Sequence, residues 1–139
     1  VDYVFVDRTT FETAIGREGF LEWAEYSGHL YGTPRDPVLA HLLEGENVLL
    51  DIENDGAGQV KRSYPEAMLI FVLPPSMEEL EQRLRSRGDT SEKDIEKRLA
   101  VAAAQISDAT DNYDFLVTNT EVGTAADEIV SILAAAAGR

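Results

Sequence analysis

A short segment at residues 20–34 concentrates side chains that could bind a small polar ligand. Glu22 supplies a carboxylate, and Tyr31 and Thr33 supply hydroxyls. A fixed carboxylate makes charge-assisted hydrogen bonds to N–H donors, and a hydroxyl can donate or accept. The segment is rich in aromatic residues and is interrupted by Ser27-Gly28, which predicts a hairpin. Taken alone, the same residues would also suit a rim carboxylate, a packing tyrosine and a turn threonine.

A second acidic group follows the apolar run at residues 48–52, in the sequence Asp51-Ile52-Glu53-Asn54-Asp55-Gly56. Acids at the carboxyl end of a parallel strand point into the ligand crevice of an open α/β sheet. Carboxylates placed there can bind the water around Mg²⁺. The alternative is a helix N-terminus that carries acids, where the helix dipole favours negative charge.

The positive charges are concentrated late in the chain. Six of the twelve Lys and Arg residues lie between Arg83 and Arg98, interleaved with acids. The planar guanidinium of arginine binds phosphate oxygens in bidentate fashion, so the cluster could meet a phosphorylated ligand. An amphipathic charged hairpin with a solvated outer face is the alternative.

Together these segments resemble the guanylate kinase family of P-loop nucleoside monophosphate kinases. The resemblance runs from Val1 to about Leu133 and includes the lid-like Arg87-Gly88-Asp89-Thr90 and Lys97-Arg98-Leu99. It implies an α/β fold with a three-layer parallel sheet and a small GMP-binding β subdomain. It also implies a single domain over residues 1–139, with the GMP-binding subdomain at about 1–34, a lid at about 76–100 and a core in the remainder.

The resemblance also implies the roles of particular residues. Glu22 would accept hydrogen bonds from the guanine N1–H and amine, Thr33 would donate to the O6 edge, and Tyr3 and Tyr31 would hold the acceptor phosphate. The implied GMP site comprises Tyr3, Glu22, Tyr31, Thr33, Asp51 and Glu53. ATP and Mg²⁺ are the implied cofactors, with Arg87 and Arg98 closing over the ATP phosphates as catalytic residues and Asn119 near the adenine. No metal site formed by protein ligands is expected, and His41 has no partner at ligand spacing.

The hydrophobic pattern predicts elements that alternate between strand and helix, as in an α/β fold. We predict strands at residues 1–6, 48–52, 69–73 and 115–117, in addition to the hairpin. Capping boxes predict helices that begin at Thr9 and Ser76. Further helices are predicted at residues 37–43, from about Glu92, and from Thr124.

Composition narrows the partners and the compartment. A net charge of −14 argues against binding nucleic acid, which requires a basic face. The 139 residues contain no cysteine and no apolar run of membrane-spanning length. We therefore expect no nucleic-acid partner, no membrane association and a cytoplasmic location.

One motif of the family is missing from these residues. The chain opens on Val1, and no Gly-x-x-x-x-Gly-Lys-[Ser/Thr] loop occurs in it. In the family this loop grips the ATP phosphates, so we expect a form that lacks the N-terminal P-loop strand and helix, binds GMP weakly and is inactive alone. The complete enzyme would transfer a phosphoryl group from ATP to GMP. A non-catalytic protein-interaction module is the alternative, and homodimerisation through exposed sheet edges is a further expectation.

Overall fold

The chain folds into two units that divide near residue 67. A computed structural model describes residues 3–86 and 91–137, and its units are Val1–Ala67 and Met68–Arg139. Each unit contains a small two-stranded sheet with helices packed on it. The predicted α/β class is therefore confirmed.

The first unit is organised around the predicted hairpin. Its elements are α1 (Arg8–Gly16), β1 (Phe20–Tyr26), β2 (His29–Pro34), α2 (Arg35–Leu43) and α3 (Asn54–Ser63). The strands β1 and β2 are antiparallel, and the turn between them is Ser27-Gly28. Both turn residues have positive φ, 50° and 80°, as in the two-residue turns that match the twist of paired strands.

The core of the first unit joins α1 and α3 to β1. Phe11 of α1 stacks on Phe20 of β1 with ring centroids 4.3 Å apart. Leu21 of β1 and Val60 of α3 are also buried. The apolar faces of the helices therefore hold the hairpin in place.

Helix α1 begins earlier than predicted. Its N-cap is Asp7, whose Oδ1 accepts a hydrogen bond of 2.7 Å from the Thr10 N–H. This bond lowers the pKa of Asp7 below its usual range because it stabilises the carboxylate. The helix start predicted at Thr9 was wrong by two residues, because Asp7 just upstream is an equally good N-cap residue.

Two predicted strands were wrong. Residues 3–7 and 46–53 are not assigned to any strand, and Phe5 and Leu49 are 91% and 81% exposed. A strand requires a neighbour whose backbone groups it can pair with. Within the described part of the first unit, β1 and β2 pair only with each other.

The second unit contains the parallel pairing that the sequence predicted. Its elements are β3 (Ile70–Leu73), α4 (Met77–Ser86), α5 (Glu92–Asn112), β4 (Phe115–Thr118) and α6 (Val122–Ala137). The strands β3 and β4 are parallel, in a register from Ile70 opposite Phe115 to Leu73 opposite Thr118. Two helices connect them, as parallel pairing requires.

The helix starts of this unit agree with the sequence at two positions of three. Ser76 Oγ accepts from the Glu79 N–H at 3.1 Å, as the capping box predicted, and Ser91 caps α5. At α6 the cap is Glu121 instead of Thr124. The Thr124 hydroxyl donates to Glu121 at 2.7 Å, and this bond lowers the pKa of Glu121. A glutamate reaches the same N–H groups that a threonine would.

Val117 of β4 is the centre of the second core. It is fully buried, with Ile95 and Ala109 of α5 also buried. Phe71 and Tyr113 pack edge to face with ring centroids 5.2 Å apart.

The single domain predicted from the sequence, with its GMP-binding subdomain, lid and core, stays a prediction. Within residues 3–86 and 91–137, no helix has both the length and the apolar content that crossing a bilayer requires.

We predict that Val117→Ala destabilises the protein by about 2 kcal/mol, because it removes two methyl-sized groups from a filled core. Val72 lies opposite Val117 in the register but is 47% exposed, so Val72→Ala is the matched control. We expect the control to cost at most about half as much. Urea unfolding midpoints measure both, and equal losses would contradict this placement of the core.

Candidate functional site

Glu22 and Thr33 are brought together by the hairpin register. They lie opposite each other on β1 and β2, next to an irregularity in pairing between Phe20 and Glu22. Paired residues of neighbouring strands share a face of the sheet. The Thr33 hydroxyl donates to Glu22 Oε1 at 2.5 Å, and both side chains are partly buried. This short, charge-assisted bond fixes the direction of the carboxylate.

The bond also decides which groups remain for a ligand. A hydroxyl has one proton, and that of Thr33 is donated to Glu22, so its oxygen remains an acceptor. Glu22 Oε2 is a second acceptor beside it. In this arrangement the pair presents acceptors to a ligand, whereas the sequence analysis expected a donor from Thr33.

The first turn of α3 lies against the Glu22 carboxylate. A Cβ added to Gly56, the third residue of α3, would lie 3.1 Å from Glu22 Oε2. A glycine permits this close approach because it has no side chain. The N-terminal turn of a helix carries partial positive charge, which stabilises a carboxylate placed beside it.

Asp51 and Glu53 precede this turn and have exposed side chains. Glu53 is the N-cap residue of α3, with an extended backbone and no side-chain capping bond. Because residues 48–52 form no strand, Asp51 does not lie at the end of a parallel strand, as the sequence analysis had assumed. The acids instead lead into a helix N-terminus, which was the alternative interpretation.

Tyr3 and Tyr31 lie together. Their rings pack edge to face, with centroids 6.5 Å apart and planes at 75°. The two side chains are exposed, Tyr3 more than Tyr31. The structure therefore brings together the two tyrosines that the resemblance assigns to the acceptor phosphate.

Gln59 is a residue that the sequence analysis missed. Its Oε1 accepts from the Trp23 N–H at 3.1 Å, and its Nε2 donates to the Trp23 carbonyl at 2.9 Å. Nε2 also donates to Asp55 at 3.3 Å. A side-chain amide that pairs with a backbone 36 residues away leaves no periodic signal in the sequence, so no pattern could have found it.

In the second unit, Asn119 follows β4 and extends its pairing. Its N–H donates to the Leu73 carbonyl at 2.7 Å, and its own carbonyl accepts from Arg83 at 3.4 Å. Arg83 is also paired with Glu79 at 3.1 Å. Arg83 is therefore held beside the position that the resemblance assigns to adenine.

The arginines of the predicted lid differ in their contacts. Arg85 binds Glu92 through two hydrogen bonds, which tie α4 to α5 and lower the pKa of Glu92. Arg98 lies on α5 and is exposed, and among residues 3–86 and 91–137 it makes no hydrogen bond or ion pair. Arg87, the other predicted catalytic arginine, lies outside the described residues.

The comparisons with known proteins identify the family. The family model described as guanylate kinase matches residues 1–136. The chain belongs to the guanylate kinase family.

Named relatives support this assignment. The chain is 53% identical to a guanylate kinase of Thermus thermophilus, over 97% of this chain and 61% of that protein. It is 44% identical to a guanylate kinase of Carboxydothermus hydrogenoformans, over 97% of this chain and 66% of that protein. The chain thus spans less than two thirds of the length of either relative.

A solved structure gives the same result for the fold. The crystal structure of guanylate kinase from Anaplasma phagocytophilum matches with a TM-score of 0.73 and 35% identity. The match covers 96% of this chain and 64% of that one. The mixed α/β architecture predicted from the sequence is therefore that of a guanylate kinase.

A separate group of side chains in the first unit could hold a metal ion. The ligand atoms of His41, Glu44 and Glu46 lie within 4.8 Å of one another, and all three side chains are exposed. Gly45, with φ of 81°, turns the chain so that Glu46 reaches His41 Nδ1 at 2.6 Å. The expectation that His41 has no partner was wrong, because this turn brings back a residue five positions later.

We predict that Gly32→Ala destabilises the hairpin that carries Glu22 and Thr33. An added Cβ would lie 2.9 Å from the Glu22 carbonyl oxygen and 2.9 Å from the Phe20 ring. Overpacking of this kind costs about 1–3 kcal/mol. Thermal or urea unfolding measures the loss.

Gly16→Ala is the matched control for this substitution. Among the described residues, no heavy atom lies within 4 Å of a Cβ added at Gly16, the last residue of α1. We expect its stability to be unchanged or raised by up to about 1 kcal/mol. Similar effects of the two substitutions would show that the close contact at Gly32 does not exist in solution.

Proposed function

We propose that β1, β2 and the start of α3 form the guanine site of a guanylate kinase, an enzyme that transfers a phosphoryl group from ATP to GMP. The observation that carries this proposal is the 2.5 Å bond from Thr33 to Glu22, beside the first turn of α3. This bond fixes the Glu22 carboxylate and the Thr33 oxygen as two neighbouring, partly buried acceptors. The donor edge of guanine requires acceptors placed in this way.

Guanine and adenine differ most at this edge. Guanine offers an N1–H and an exocyclic amine, both donors, to a carboxylate and a neighbouring acceptor oxygen. Adenine has a lone pair at N1, which a carboxylate repels, and it carries no amine at C2, because its amine is at C6, where guanine has a carbonyl oxygen. Charge-assisted hydrogen bonds to Glu22 and Thr33 would therefore favour GMP over AMP.

The tyrosines are proposed to bind the phosphate of GMP. Tyr3 and Tyr31 pack edge to face and keep exposed surface from which their hydroxyls can donate to phosphate oxygens. The contact between their rings supports a shared role, because two tyrosines that lie side by side can both donate to oxygens of one phosphate.

ATP and Mg²⁺ would involve a different set of residues. Arg98 is proposed to neutralise ATP phosphates, since it is exposed and makes no ion pair among the described residues. Arg87 and Asn119 are proposed for the same ligand on the resemblance. In the first unit, Asp51 and Glu53 are proposed for the GMP site, where their carboxylates can bind the water around Mg²⁺, and the ion would supply charge neutralisation to a bound phosphate. Because these 139 residues contain no P-loop sequence, we expect them to transfer phosphoryl groups negligibly by themselves.

We predict that the chain binds GMP more tightly than AMP, and that Glu22→Gln lowers GMP affinity about 10–100-fold, as for the loss of a hydrogen bond to a charged group. Isothermal titration calorimetry with millimolar nucleotide measures both affinities. AMP affinity should not fall in the variant, because adenine makes no favourable contact with the carboxylate.

Glu25→Gln is the matched control, because Glu25 lies on the same strand but pairs with Arg8. Its GMP affinity should equal that of the unmodified chain. Equal binding of GMP and AMP, or no binding of either, would contradict the proposed guanine site and favour a non-catalytic interaction module. Self-association and a cytoplasmic location stay predictions.

A further inference from the structure

The outer edge of β1 carries backbone groups that β2 does not pair. Tyr26 and His29 flank the two-residue turn, so they form a hydrogen-bonded pair, and such pairs alternate along an antiparallel ladder. Trp23 and Gly32, three pairs further along, form a non-hydrogen-bonded pair, so the Trp23 N–H and C=O project away from β2. Unpaired backbone groups at a sheet edge need a partner when they are covered by another element.

The side chain of Gln59 supplies that partner. Its amide offers one acceptor and one donor, as a peptide group of a neighbouring strand would, and it binds both the N–H and the C=O of Trp23. Asp55, one turn earlier on α3, accepts from the same Nε2. Since Nε2 then has two acceptors, the amide oxygen is left facing the Trp23 N–H.

Two further contacts extend this tie along one face of α3. The Ser63 hydroxyl lies 3.2 Å from the carbonyl oxygens of both Leu21 and Val60 and shares its proton between them, and Gly56 lies against the Glu22 carboxylate. The contacting residues of α3 are three or four positions apart, which places them on one helix face. Three consecutive residues of β1 thus each contact α3, with Glu22 in the middle.

We propose that Gln59, oriented by Asp55, is a positioning residue that sets the Glu22 carboxylate for the exocyclic amine of the purine. The hydrogen bonds from Gln59 to the Trp23 backbone fix the strand next to Glu22, so the carboxylate keeps its place between Thr33 and the first turn of α3. The inference rests on the proposed function. It goes beyond that function by naming a residue that determines selectivity for 2-aminopurine nucleotides without touching them.

The test is a double-mutant cycle of Gln59→Met with Glu22→Gln, read by the affinities for GMP and for IMP, which lacks the amine. Methionine keeps the length of the side chain and a high helix propensity but removes both hydrogen bonds to Trp23 and the one to Asp55. We expect Gln59→Met to lower GMP affinity about 10-fold, and IMP affinity by less than about 3-fold, as for lost hydrogen bonds at one partner. In the Glu22→Gln background the same change should cost less than about 3-fold, because positioning effects are not additive.

Gln82→Met is the matched control, since Gln82 is exposed on α4. It should leave both affinities unchanged. Backbone hydrogen exchange at Trp23 gives a readout that needs no nucleotide. Gln59→Met should speed exchange of this amide at least about 10-fold, while the protein still unfolds in one cooperative transition.

Each outcome decides the proposal. If the chain prefers GMP and Gln59→Met keeps the same GMP-to-IMP ratio, the guanine site stands and the positioning role of Gln59 is refuted. Equal losses for GMP and IMP, or equal losses with and without Glu22, would show a purely structural role. If the unmodified chain binds neither nucleotide, the proposed function fails and the positioning role with it, whereas unchanged Trp23 exchange would refute the backbone tie alone.

Discussion

The candidate site depends on one charged hydrogen bond, from the Thr33 hydroxyl to the Glu22 carboxylate. Partial burial of a carboxylate is costly unless hydrogen bonds and favourable dipoles offset the lost water. Here the cross-strand hydroxyl and the first turn of α3 do so. The register of the hairpin, the glycine at position 56 and the packing of α3 on β1 are all needed for this arrangement. The hairpin and α3 of the first unit therefore act together to hold the Glu22 carboxylate in one position.

Local sequence patterns predicted the elements that local interactions define. The hairpin turn at Ser27-Gly28 requires positive φ, and the parallel strands of the second unit are continuous apolar runs, so both could be found without a structure. The predicted strand at residues 48–52 was wrong because an apolar run becomes a strand only when a neighbour pairs with it. Helix starts shifted to Asp7 and Glu121 because several nearby residues can cap the same N–H groups.

The candidate site was predicted in residue type but not in geometry. Glu22 and Thr33 were named from the family resemblance, yet their mutual hydrogen bond, which leaves Thr33 as an acceptor, follows only from the register. Gln59 was not predicted because its amide binds a backbone group 36 residues away. Asp55 was named among the acids, but its contact with Gln59 on the same helix was not predicted. In the structure the Asp55 carboxylate accepts a hydrogen bond from the Gln59 side chain, one turn later on α3.

The central claim is that the base of GMP binds between Glu22, Thr33 and the first turn of α3. Nuclear magnetic resonance of the isotope-labelled chain during GMP addition tests it most directly. We predict progressive shifts of the backbone amides of Glu22, Thr33 and Gly56, with smaller shifts at these positions when AMP is added. Shifts that are absent from these three amides, or that are the same for both nucleotides, would contradict the claim.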